Sequence, residues 1–388
     1  MIIAGLMTGT SADGLDLVIV EFALSGDTLE ARVLAEREVP FDHDLRADIL
    51  RLLEPDDVPL SLVSSVDARL GQHSADSLRD LIADAGVRCD LVVSHGQTVR
   101  HDVQDGAALS TLQLGQPAWI AERAGAPVLS DVRARDIATG GQGAPLVGML
   151  DRMLIGAVAT PVAMLNLGGI ANITVISPNL APVAFDTGPA NALIDILARR
   201  ITDDALHYDR DGALAAQGTV DAALLEEMLA EPYYARPAPK STGKELFHGT
   251  YLDDFLTRHD IAPHDALATV TELTARTVAQ ACQQHRVGTV IASGGGTRNP
   301  VLMGRIDAAL GADVSLTTTD LALGLSEGSK EALLMALIGW LSWHGLAGTE
   351  PSLTGATHPT IAGRLSPGVE PLTLPTPLTE RPSRLRLR

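Results

Sequence analysis

The sequence predicts an α/β fold made of two similar domains. Three observations carry that expectation. Short apolar runs of strand character alternate with stretches of helical spacing. Glycine-rich turns stand at the ends of several of those runs, at residues 8–14, 168–172, 186–191 and 294–299. A strand-turn-strand pattern near the start also returns in the middle of the chain. Its first copy is Ile2 to Met7, a turn from Thr8 to Gly14, and Leu15 to Phe22. Its second is Ala163 to Leu167, a turn over 168–172, and Ile173 to Ile176. The repetition suggests an internal duplication.

The bulk numbers fit that size of fold. The chain has 388 residues and 46% hydrophobic content, enough to bury two cores. Aromatic residues make up 3%, so Leu, Val, Ile and Ala must do most of the packing. The net charge of −19 repels nucleic acid and anionic lipid at long range. It does not prevent backbone amides and a divalent cation from holding a phosphate locally. Cys89 and Cys282 lie far apart and form no CxxC pair, which points to a reducing compartment. The N-terminus lacks a basic region and a cleavage site, so no signal peptide and a cytoplasmic location are expected. The uncharged run Ala332 to Gly348 contains Ser342, His344 and three glycines, and reads as a buried helix rather than a membrane span.

Further elements follow in order. Asp90 to Ser94 and Pro127 to Ser130 are short apolar runs of the buried-strand kind. Residues 139–145 form a plausible interdomain crossing. Val270, Leu273, Thr277, Val278 and Ala281 keep helical spacing. Val287 to Ser293 is a strand, Gly294, Gly295 and Gly296 a tight loop, and Asn299-Pro300 a helix start with cap and first-turn proline. The segment from Pro367 carries five prolines and reads as a tail, wrapped on the surface or disordered.

The most informative stretch is Phe185 to Asn191. An apolar run from Ala181 delivers Asp186 to a strand end. Pro189 suits a first helical position, and Leu193, Ile194 and Leu197 continue a helix. Asp186 would then stand beside helix N–H groups that attract anions. There it either caps the helix or handles a proton or a hydrated metal before a phosphate.

Each glycine loop is either an ordinary turn or a close approach of backbone to ligand. Four together point to a nucleotide. No G-x-x-x-x-G-K-[ST], no G-x-G-x-x-G after a strand and no protein-kinase set occurs. Gly324 to Gly328 fits G-x-S-x-G, yet no aspartate follows Ser326 and too little chain remains for a hydrolase. His95, Gln97, Thr98 and His101 follow one strand, and Asp131, Arg133 and Asp136 another. Both clusters are either solvated rims or ligand sites at strand C-terminal ends. Glu331 opens the long apolar helix, as a cap or as a functional carboxylate. No spacing supports a zinc site, so no metal ligand is assigned.

Taken in order, these motifs resemble the anhydro-N-acetylmuramic acid kinases of bacterial cell-wall recycling. The match runs from Gly5 to Gly14, then through Ser94 to Thr98, Ser110 to Gly115, Ser130 to Asp136, Gly140 to Leu146 and Asn166 to Asn172. Asp186 to Pro189, Lys240 to Gly243 and Gly294 to Asn299 complete it. The chain departs from the family pattern at Thr8, Arg100 and Ala190, where serine, tryptophan and glycine are common.

The resemblance implies two duplicated actin-like, ribonuclease H-like domains with a nucleotide cleft between them, at 1–135 and 136–360. The tail 361–388 is free to pack on the first. It implies ATP and Mg²⁺, and hydrolytic opening of 1,6-anhydro-N-acetylmuramate with phosphorylation of O6. Asp186 and Glu331 become the catalytic pair. Gly9, Thr10, Ser11, Ala12, Asp13, Gly14, Leu15 and Asp16 become nucleotide-binding, with Asn166, Gly168, Gly169, Gly294, Gly295, Gly296 and Asn299. His95, Gln97, Thr98, Arg133, Gly188 and Asn191 become sugar-binding. The expected partners are the amino sugar and ATP, with no nucleic acid or membrane; a homodimer is compatible. Another small-sugar kinase of the same fold and a non-catalytic nucleotide-binding module are the alternatives.

Overall fold

A computed structural model of the chain describes residues 1–9, 12–54, 57–104, 107–238, 240–243, 246–326 and 329–388. The chain divides into two compact units, Met1–Gly156 with Gly328–Arg388, and Ala157–Glu327. This differs from the expected division at 135/136. Residues 139–145 are not a crossing, because the buried Asp136 carboxylate accepts from the Gly143 amide (2.8 Å) and from Thr354 Oγ1 (2.8 Å). That segment is thereby tied into the first unit. Thr10 and Ser11 lie outside the described residues.

In chain order the strands are β1 (Ile2–Met7), β2 (Gly14–Ser25), β3 (Thr28–Pro40), β4 (Leu91–Ser94), β5 (Gln97–Gln104), β6 (Ala107–Leu114) and β7 (Val128–Ser130). Then come β8 (Val162–Leu167), β9 (Ile170–Ile176), β10 (Val183–Pro189), β11 (Thr289–Ser293), β12 (Ser315–Thr318), β13 (Arg364–Ser366) and β14 (Arg384–Leu387). The first unit holds a seven-stranded sheet ordered β13-β7-β4-β1-β2-β3-β14. The second holds a five-stranded sheet ordered β10-β9-β8-β11-β12.

The two sheets share one plan. In the first, β1, β2 and β3 form an antiparallel meander, while β4 joins β1 and β7 joins β4 in parallel. In the second, β8, β9 and β10 form the meander, while β11 joins β8 and β12 joins β11 in parallel. Counting only the five strands the two sheets share, in chain order, both read 3-2-1-4-5. The duplication suggested by two short hairpins is therefore a repeat of a whole sheet. Just before Pro367, β13 adds antiparallel to β7, and the proline-rich segment itself contributes β14, parallel to β3.

Each unit has its own apolar core. The second packs Leu165, Ile173, Phe185, Leu193 and Leu197 with Leu267, Leu273 and Val278. The helix Pro263–Gln284 supplies the last three and crosses β10. In the first unit the helix Ser329–Trp343 lies on β1, β2 and β4 and is buried nearly all round. Such a helix needs contact on every face. Close approach is possible because two glycines stand at the contact. A Cβ at Gly5 would overlap the Ala332 carbonyl oxygen and sit 2.9 Å from the Ala336 nitrogen. A Cβ at Gly339 would overlap the Val93 side chain. No helix among the described residues is long and apolar enough to cross a membrane.

Sheet and helix backbones cannot both give way, so Gly5→Ala should destabilise the protein by about 2–3 kcal/mol. Urea unfolding midpoints check this. A midpoint equal to that of the parent would show that the helix is not held against β1.

Candidate active site

In each unit the loops that follow the parallel strands leave one edge of the sheet, where α/β proteins carry their ligands. In the first unit that edge gathers the turn after β1, the crossing from β4 to β5, the end of β7 and the first turn of the helix Ser329–Trp343.

Gln97 is buried and fully occupied. Its Oε1 accepts from Thr8 Oγ1. Its Nε2 donates to the Gly9 carbonyl (3.2 Å) and the Thr98 carbonyl (3.3 Å). Gln97 thus fixes the glycine turn. Sequence reasoning gave it a sugar-binding role, and the side chain also braces this turn. Thr98 accepts from Gln113 Nε2 at 3.0 Å. Ala12 takes a positive φ of 50° and is buried. Gly14 is needed because a Cβ there would lie 2.8 Å from the Val39 carbonyl oxygen.

His95 is buried and neutral. Burial, then the Arg133 charge, push its imidazole down to about 3. Its Nε2 accepts from Arg133 Nε at 2.8 Å, so the proton sits on Nδ1, facing the Gly96 carbonyl at 2.6 Å. Arg133 also donates to the Gly143 carbonyl at 2.6 Å. These partners are neutral and orient the guanidinium without cancelling its charge. Burial lowers Arg133, and Glu331 opposes that shift.

A set of carboxylates shares this edge. Asp16 is raised to about 7, by burial first and then by Glu38, Glu331 and Asp13. The Glu331 carboxyl is raised too, by desolvation, with Arg133 and Lys330 pulling it back. Glu331 itself reaches solvent, although dense protein crowds it. Beside it in sequence, Lys330 forms an ion pair with Asp151 at 2.7 Å, both side chains being almost wholly buried. Sequence reading did not find that pair.

In the second unit Asp186 stands in β10 opposite Asn172, and the register then slips so that Gly188 pairs with Ala171. Thr187 is the extra residue of a β-bulge, buried, with its hydroxyl on the Ala171 carbonyl (3.3 Å). Pro189 ends the strand and does not start the helix. The helix begins at Asn191 and has no side-chain cap. Its leading amides are used internally: Ala190 and Ala192 donate to the Gly169 carbonyl and Asn191 to the Gly168 carbonyl, at 2.9, 3.0 and 3.0 Å. The expected anion-attracting helix start is therefore closed by the 168–169 turn. Ala190, where glycine was anticipated, has φ −118° and packs in the core.

Asp186 is not a helix cap. Its Oδ2 accepts from the Thr242 amide at 2.9 Å, and its own amide donates to the Lys240 carbonyl at 3.0 Å. Tyr233 Oη donates to the Asp186 carbonyl at 2.8 Å. The carboxylate side chain remains partly exposed.

The remaining glycines pack β8 against β11. A Cβ on Gly294 (φ 92°) would lie 2.6 Å from the Leu167 nitrogen, and one on Gly296 2.7 Å from Leu167 Cβ. Gly295 faces open space. Asn191 Nδ2 donates to the Leu167 carbonyl (3.0 Å), so Asn166, Gly168, Gly169, Asn191, Gly294 and Gly296 are brought together. Asn299 caps the helix Pro300–Leu310 as the sequence predicts, accepting from the Val301 and Leu302 amides at 3.1 and 3.0 Å. Gly324 is a left-handed helix end (φ 68°), which gives the G-x-S-x-G match a structural reason.

A doubled 3-2-1-4-5 sheet with glycine turns and acidic side chains on the ligand edge defines the actin-like class of ATPases and sugar kinases. A sequence profile of the anhydro-N-acetylmuramic acid kinase family matches residues 1–368. The anhydro-N-acetylmuramic acid kinase of Streptomyces coelicolor is 49% identical, over 100% of this chain and 99% of that protein. The one from Streptomyces avermitilis is 50% identical over the whole of both chains, and that from Gloeobacter violaceus 40% over 94% and 98%. Among solved structures, the xylulose kinase of Rhodospirillum rubrum aligns at 14% identity and TM-score 0.42, covering 87% of this chain and 90% of that one. On the sequence relatives, the chain belongs to the anhydro-N-acetylmuramic acid kinase family.

Asp16 binds its proton more tightly in the folded state than in the unfolded one. Its contribution to stability is therefore present at low pH and lost as pH rises through about 7. Asp16→Asn should gain melting temperature relative to the parent as pH rises from 4 to 8. Calorimetry across that window checks the sign; a pH-independent difference would contradict it.

Proposed function

We propose that the chain is an ATP-dependent kinase that opens 1,6-anhydro-N-acetylmuramate with water and phosphorylates O6, giving N-acetylmuramate 6-phosphate and ADP. The observation that carries the reading is Asp186, displayed by a bulge and fixed by the Thr242 amide within a chain of this family.

Asp186 takes a proton from the water that attacks the anomeric carbon. The C1–O6 bond breaks as the C1–OH bond forms, and O6 then attacks the γ-phosphorus of ATP with ADP leaving. One carboxylate serves both changes, which demands strict placement. Glu331 is the assisting acid; desolvation raises its carboxyl, the direction that favours holding a proton. Arg133, oriented by neutral His95, offers a positive charge and planar donors to the sugar's carboxylate. Thr98 is assigned to the sugar with it. Residues 9–16 take the phosphates, and 168–169 with 294–296 take the nucleoside, where Gly295 leaves room for it.

Magnesium fits this chain's donors. Asp13, in the turn after β1, and Asp16, early in β2, would offer it hard carboxylate oxygens. Among the described residues no three metal-ligating side chains converge, so water and phosphate would have to fill the ion's other positions. When bound, the ion neutralises phosphate charge. A cytoplasmic location belongs to the same reading, and two free buried cysteines suit it.

Asp186→Asn should fold and bind ATP as the parent does, yet lose turnover by at least about a hundredfold. Coupled ADP detection with the anhydro sugar measures this. Near-parental turnover would remove Asp186 from the reaction.

A further inference from the structure

Lys240 opens a short segment, Lys240 to Gly243, that runs beside β10, an edge strand of its sheet. A lysine followed by Ser-Thr-Gly invites comparison with a phosphate grip. The geometry gives this ammonium a different task. Lys240 Nζ donates to the Tyr234 carbonyl at 2.9 Å and the Tyr233 carbonyl at 3.2 Å. These carbonyls belong to the short 3₁₀ turn Pro232–Ala235, where the Tyr233 carbonyl also accepts from the Arg236 amide at 3.1 Å. The same ammonium lies over the Tyr233 ring, 4.8 Å from its centroid.

Tyr233 is thereby held at its carbonyl and at its ring. Its hydroxyl donates to the Asp186 carbonyl at 2.8 Å, and its amide donates to Glu231 Oε1 at 3.2 Å. From the other side the Lys240 carbonyl holds the Asp186 amide, and two residues later the Thr242 amide holds Oδ2. Tyr234 closes the arrangement: it stacks on Phe247, and a Cβ on Gly188 would lie 2.8 Å from its ring. The bulge therefore sits directly under this turn. Tyr233 and the segment 240–242 hold Asp186 at its carbonyl, its amide and Oδ2.

We infer that Lys240, acting through Tyr233 and the 240–242 backbone, is a positioning residue that sets where the Asp186 carboxylate stands. The inference rests on the reading of Asp186 as the base. Misplacing such a group by about 1 Å can cost turnover as much as a hundredfold. A strut of this kind changes kcat and leaves nucleotide affinity alone, whereas a phosphate ligand changes both.

The test uses Lys240→Met, Lys240→Arg, Tyr233→Phe, Asp186→Asn and the double variant Asp186→Asn with Lys240→Met. Lys240→Met should lower kcat about tenfold or more, with the ATP dissociation constant, from titration calorimetry, within about twofold of the parent. Lys240→Arg, which can still donate to two carbonyls, should recover most of that loss. In the double variant the lysine change should cost nothing further, because the group it positions is already gone. Parental kcat in both Lys240→Met and Tyr233→Phe, beside an inactive Asp186→Asn, overturns the inference and spares the base. A further full loss in the double variant, or weakened ATP binding, makes Lys240 an independent ligand and also overturns it. An active Asp186→Asn overturns the base assignment itself. Should Lys240→Met fail to fold, Tyr233→Phe removes a single oxygen and decides on kcat alone.

Discussion

One extra residue in an edge strand governs the second unit. Without the bulge at Thr187, β10 would run in register to its end, and a one-residue slip moves side chains to the opposite face. The bulge turns the chain so that Gly188, at φ 155°, fits under Tyr234. It also lets Ala190 to Ala192 spend their amides on the 168–169 turn. Asp186 is left just before this turn, its backbone pinned on both sides. A carboxylate asked to move a proton needs this kind of fixed support, since looseness is lost rate.

The first unit solves a different problem, that of keeping charges in place at a crowded edge. Two glycines let a helix descend onto the sheet and deliver Glu331 to the edge that carries Asp16. A neutral imidazole and a backbone carbonyl aim Arg133, so its charge is oriented and not consumed. Several carboxylates stand near one another, and Asp16, raised by burial first and by Glu38, Glu331 and Asp13 after it, holds its proton to about 7. Repulsion of that kind is stored until a cation or a proton relieves it. The buried pair of Lys330 and Asp151 anchors the helix start that presents Glu331. Breaking it from one side would strand a charge in the interior.

Much of the fold was legible because hairpins and buried parallel strands leave local signals. Both meander openings, the β11 strand and the Asn299 cap followed by proline are all local patterns, and all are present. Pro189 misled because its fixed φ is as good for a strand end as for a first helical turn. The 139–145 stretch misled because a glycine-rich segment looks like a linker, while the contact that anchors it, Asp136, closes only in three dimensions. Gln97 makes a contact of the same kind: the turn it braces was invisible in one dimension. Tyr233 and Lys240 had one sequence cue. In a chain that is 3% aromatic, Tyr233, Tyr234, Phe247, Tyr251 and Phe255 crowd into one short region around the Lys240 segment. Scarce rings gathered in that way mark a place where shape is being held.

The account ascribes to one supported carboxylate both the delivery of water to a sugar carbon and the release of the oxygen that takes phosphate. The direct measurement is mass spectrometry of the product formed from ATP, Mg²⁺ and the anhydro sugar in ¹⁸O-water, quenched before anomeric exchange. The account predicts one ¹⁸O on C1 and a phosphate on O6 free of label. Unlabelled sugar, or ¹⁸O found in inorganic phosphate with the anhydro ring intact, would contradict it.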